Sequence, residues 1–165
     1  MRKFILSVSF LSVLCLSFGS AFNSQTRLIW NRTESAPKGL YWLSDDPFTI
    51  GRWVVVSSQS ADAGWAQAHG YVGHNWPLLK QIAGVSGDEV CRDATRILIN
   101  GILVGEAHLS AGSGDDLPIW EGCVVLSQDQ VFLMNAHPDS LDGRYFGITD
   151  RSDLAGVAHL IFAWR

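Results

Sequence analysis

Asn100-Gly101 stands between two apolar triplets, Ile97-Leu98-Ile99 and Ile102-Leu103-Val104. Asn-Gly is the strongest short signal for a tight β-hairpin, because both central residues of that turn need positive φ. The rest of the chain repeats the theme of short runs closed by turns. Leu40-Tyr41-Trp42-Leu43, Trp53-Val54-Val55-Val56, Leu78 to Ala83, Glu89 to Arg92, Val124 to Leu126, Val131 to Met134 and Val157 to Trp164 all read as strands. Residues 60–69 form the one plausible short helix, with Ser60 placed to cap it. Residues 106–118 are rich in Gly, Ser and Asp and read as an exposed loop. Eight or so short strands with little helical periodicity predict a mainly β fold in one domain.

The amino terminus does not belong to that pattern. Residues 4–26 carry no charge and follow Arg2 and Lys3. A basic start, an apolar stretch and small residues at Gly19, Ser20 and Ala21 have the layout of an export signal. The apolar stretch is about 19 residues, near the length that spans a bilayer, so residues 1–21 read as a signal peptide or a signal anchor. The interspersed serines favour cleavage. Either way residues 22–165 are expected on the exported side, in the periplasm and at the inner membrane.

Export bears on the cysteines and the charge. Cys91 and Cys123 are the two cysteines outside the signal segment, and an even pair in an oxidising compartment predicts a disulfide; two separate buried thiols are the alternative. The net charge is −4, and loss of Arg2 and Lys3 leaves ten cations against sixteen acids. That balance excludes a basic nucleic-acid binder, which needs clustered cations. The five histidines share no ligand spacing, and no phosphate-binding or dinucleotide glycine motif occurs, so neither metal nor cofactor is expected.

Two lysines remain, Lys38 and Lys80. Lys80 lies within an apolar run, where desolvation lowers an amine's pKa and makes it a proton acceptor. Its bland alternative is an edge-strand lysine that deters pairing. Ser35 precedes Ala36-Pro37, which restricts the backbone there; alone it reads as a turn residue.

Together these segments resemble the type I signal peptidases. Thr33-Glu34-Ser35-Ala36-Pro37 with Gly39-Leu40-Tyr41 is similar to their nucleophile box. Lys80-Gln81-Ile82-Ala83-Gly84-Val85-Ser86-Gly87-Asp88 is similar to their general-base box. Asp139-Ser140-Leu141-Asp142-Gly143-Arg144-Tyr145-Phe146-Gly147 resembles their third box, with Gly143 where a serine is common. The spacing is closest to the conjugative-transfer, TraF-type branch.

The resemblance implies a β-rich serine peptidase with Ser35 as nucleophile and Lys80 as general base, the lysine pointing at the serine within hydrogen-bond reach. It implies an oxyanion hole from the Ser35 N–H and the Thr33 hydroxyl. Asp142 and Arg144 would be a supporting pair, with Tyr145 and Phe146 packed beneath. The expected substrate is an exported pilin precursor, resolved by water or cyclised. General leader-peptide removal and a non-catalytic pilus or secretion assembly role are the alternatives. Seven Trp suit a domain working against a membrane face.

Overall fold

The computed structural model describes residues 27–110 and 116–164. The signal segment predicted at 1–21 lies outside the described residues. Among the described residues no helix is long and apolar enough to cross a membrane.

The fold is mainly β. Eleven strands form two antiparallel sheets: β1 Leu28–Asn31, β2 Gly39–Ser44, β3 Trp53–Val56, β4 Leu78–Gly84, β5 Glu89–Asp93, β6 Arg96–Ile99, β7 Ile102–Glu106, β8 Gly122–Val125, β9 Gln130–Leu133, β10 Ile148–Asp150 and β11 Leu154–Ala163. The large sheet runs β1-β2-β11-β3-β4-β9-β10, and the small one β7-β6-β5-β8. The last strand in sequence therefore sits in the middle of the large sheet, which makes the long-range contacts dominant. Its register shifts twice, at Leu154/Gly156 against β3 and at Leu160/Phe162 against β2. Bulges bend a strand and raise its twist. Gly156 has φ +148°, and a Cβ there would meet the Ser44 carbonyl oxygen at 2.8 Å, so glycine suits this bend.

Each predicted strand forms. The Asn100-Gly101 turn has φ of 52° and 77°, as a two-residue hairpin demands. Helix α1 is Ala61–Ala68, and the Ser60 side chain accepts from the Ala63 N–H. The main core lies between the large sheet and α1, where Val54, Val56, Ile82, Val131, Leu133 and Val157 are buried with Ala63 and Ala66. The loop predicted at 106–118 is not wholly exposed. Ala107 and Leu117 are buried against Tyr145. Their apolar surface outweighs the local turn composition; residues 111–115 lie outside the described residues.

Cys91 and Cys123 are direct cross-strand partners on β5 and β8 and are disulfide-bonded. Closing a loop of 32 residues stabilises by about 3–4 kcal/mol on a chain-entropy account. Denaturation of exported protein with and without reductant checks this: the reduced form should unfold at lower temperature, and alkylation of the unreduced form should find no thiol at either position.

Candidate functional site

β1, the loop that follows it and the start of β4 form two walls of one cleft of about 670 Å³. Ser35 and Thr33 line it from the first wall, Lys80 from the second, and Asp139 and Ser140 from the segment after β9.

The Ser35 loop is knotted from within. Asn31, buried at the end of β1, donates through Nδ2 to the carbonyls of Thr33, Ala36 and Pro37, each at 3.1 Å. Its Oδ1 accepts from the Thr33 N–H at 3.1 Å and the Thr33 hydroxyl at 2.8 Å. The Tyr41 hydroxyl donates to the Pro37 carbonyl at 2.7 Å. Ser35 Oγ lies 3.3 Å from Thr33 Oγ1. The Thr33 proton is engaged with Asn31, so its use in an oxyanion hole requires that hydroxyl to turn. Among the described residues nothing accepts from the Ser35 N–H.

Lys80 is inside the sheet, not at its edge. Its strand β4 pairs with β3 on one side and β9 on the other. The residue is 6% exposed. Burial pulls its amine down to about 8, opposed by Asp142 and helped by Arg144. Its Nζ donates to Ser140 Oγ at 3.0 Å. The expected hydrogen bond from Lys80 to Ser35 is not formed among the described residues; the two side chains line the same cleft, and the amine is turned to Ser140 instead. Catalytic hydrogen bonds are often longer before substrate binds.

The hydroxyl that meets Lys80 comes from Ser140, and position 143 has no space for one. A Cβ at Gly143 would meet the Leu133 carbonyl oxygen at 2.6 Å and the Phe132 ring at 2.7 Å, so a serine there has no room in this packing.

Asp142 and Arg144 form the expected pair, at 3.1 Å and fully buried. Asp142 caps a short helix, α2 Gly143–Phe146, by accepting from the Arg144 N–H. It also accepts from the Asn135 N–H at 2.9 Å. Burial pushes its carboxyl upward, against the pull of Arg144 and Lys80. Every partner it has is an N–H, so it serves as an acceptor throughout. Tyr145 is buried below, and its hydroxyl accepts from the His108 N–H at 3.0 Å. Phe146 stands edge-on to Trp65. Asp139 is at the rim, 3.2 Å from His108. Glu89, Cys91 and Cys123 also place donor atoms within 4.8 Å of one another, but both sulfurs are spent in the disulfide.

No local sequence signal marks Asn135 as a site residue. It is fully buried and ties the walls together. Its Nδ2 donates to the Ser35 carbonyl at 2.8 Å and the Leu79 carbonyl at 3.1 Å, and its Oδ1 accepts from the Gln81 N–H at 2.9 Å. One amide thus holds Ser35 and both neighbours of Lys80. Asn135→Ala leaves those groups unpaired, at about 1–3 kcal/mol. Thermal unfolding should register that loss, and kcat should fall more than KM rises.

Residues 1–164 match the family described as signal peptidase, peptidase S26. A plasmid transfer protein TraF of Escherichia coli is 31% identical over 145 residues, 81% of this chain and 82% of that protein. A conjugal transfer protein TraF of Agrobacterium tumefaciens (strain 15955) is 30% identical over 147 residues, 82% of each chain. The crystal structure of a signal peptidase I from Enterococcus faecalis V583 aligns with a TM-score of 0.40 at 16% identity, covering 69% of this chain and 98% of that one.

Proposed function

Because this chain belongs to the signal peptidase family, peptidase S26, we propose that it is an exported serine endopeptidase working through Ser35 and Lys80. The burial of the Lys80 amine in the cleft that Ser35 lines carries this reading. Ser35 Oγ attacks the scissile carbonyl and its proton passes to neutral Lys80. The Ser35 N–H, with the Thr33 hydroxyl once turned, meets the developing oxyanion; one such donor is worth about 3–4 kcal/mol. Collapse breaks the C–N bond, and Lys80 returns the proton to the leaving amine. The Ser35 ester is then resolved by water or by an amine of the same polypeptide.

The TraF relatives support a substrate from a conjugation system, an exported pilin precursor. The intact mass of a co-expressed pilin tests this. A trimmed pilin supports processing, and a further loss of one water supports cyclisation. An untrimmed pilin beside active enzyme, which still cleaves leader peptides, would favour general leader removal instead.

An inner-membrane surface is the proposed setting. Trp30, Trp42, Ile161 and Phe162 are exposed where β1, β2 and the end of β11 lie side by side, and Trp30 packs on Trp164 at 4.6 Å. Trp at such an apolar rim favours the bilayer interface. The remaining Trp are partly structural: Trp120 donates to the Gly143 carbonyl at 2.9 Å.

The pH dependence has a definite sign. Only the neutral amine accepts a proton, so activity should rise with pH through about 8 and level above it. A plot of log kcat/KM against pH reads this directly.

A further inference from the structure

We propose that Arg32, stacked on Trp76 across the cleft, determines specificity by receiving a carboxylate-bearing side chain of the substrate. This rests on the cleft being the peptide site. Arg32 follows β1 and precedes Ser35 by three residues; Trp76 leads through Pro77 into β4 and Lys80. The two come from opposite walls, and the guanidinium carbon lies 4.4 Å from the Trp76 ring centroid. The indole itself lies flat against the backbone of Gly73, where a Cβ would meet it at 2.8 Å. The platform is therefore held in place by its own loop.

Stacking uses the face of a guanidinium and leaves its edge free to donate. That edge is a fork that matches a carboxylate in bidentate fashion. The other charged groups at or beside the cleft already have partners. Lys80 donates to Ser140, Asp139 faces His108, and Glu34 binds Lys38 at 2.8 Å. Among the described residues Arg32 alone of the cleft-lining charged groups has neither an ion-pair nor a hydrogen-bond partner. Arg32 and Trp76 are both exposed, so the guanidinium edge is open to a substrate side chain entering the cleft. The net charge of the chain is negative, so attraction of an acid is local to this group and not a property of the whole field.

The test is a peptide panel in which each position near the scissile bond carries Glu or Gln in turn. Wild-type enzyme should prefer Glu at one position by about 5-fold in kcat/KM, the upper range of a solvent-exposed ion pair. The Glu/Gln ratio should fall to about one in Arg32→Ala and shrink in Trp76→Leu. Arg32→Glu should instead prefer Lys at that same position. Binding of the same peptide pairs to Ser35→Ala protein reads the ratio without turnover, so failure of the peptidase reading is seen separately. A ratio near one at every position, or one that survives Arg32→Ala, overturns the proposal.

Discussion

Ser35→Ala and Lys80→Ala should each reduce processing by roughly 10⁴-fold or more, the scale seen when one member of a nucleophile–base unit is removed. The two effects should not add, since on this mechanism the serine and the lysine act as one unit. The fold should survive both. Ser35 sits in a loop held by Asn31 and Asn135 through groups other than its hydroxyl. Lys80 is buried, and a buried amine costs stability, since burial already pulls it down to about 8. Lys80→Met keeps the apolar stem and removes the charge, so it should unfold at the same temperature as wild type or higher. Cleavage assays beside thermal melts check both halves. Full activity in either alanine variant would remove the dyad.

Arg144→Ala should be the most destabilising single change at the site. The guanidinium donates to the Asn135 carbonyl at 2.6 Å, the His137 carbonyl at 3.1 Å and Asp142 Oδ2 at 3.1 Å. Its own carbonyl accepts from Arg92 at 2.6 Å. Truncation strands a buried carboxylate and several carbonyls, and breaking such a pair costs about 3–5 kcal/mol. The melting temperature should fall by roughly 10 °C for a domain of this size. The pH profile should move too. Arg144 holds the Lys80 amine down while Asp142 holds it up. Loss of the cation therefore raises the amine, and any residual activity shifts to more alkaline pH. Asp142→Asn should shift it the other way. A role confined to packing would lower stability without moving the profile.

The β architecture was legible because apolar runs and turn residues agree along most of the chain. Trp53–Val56 and the Asn100-Gly101 hairpin need no long-range information. β1 and β10 were not legible. β10 is three residues long and is defined by its pairing with Phe132, Val131 and Gln130, which no local pattern displays. The site divides in the same way. Ser35, Lys80, Asp142 and Arg144 sit in segments with a recognisable order. Ser140 bonds Lys80 across 60 positions, and Asn135 bonds Ser35 across 100. Both residue types are common in turns, and only the fold turns them into partners of Lys80 and Ser35. Gly143 shows the converse: a missing hydroxyl in the sequence is explained by the Leu133 carbonyl packed against it.

On the proposed mechanism, peptide-bond cleavage passes through an ester of Ser35. Wild-type enzyme mixed with a peptidyl ester, quenched in acid within the first turnover and digested, tests it by mass. The peptide containing Ser35 should gain the mass of the substrate's acyl portion, and Lys80→Ala should not gain it. Acyl mass on another residue, or turnover with no acylated Ser35 at any time of quench, would contradict it.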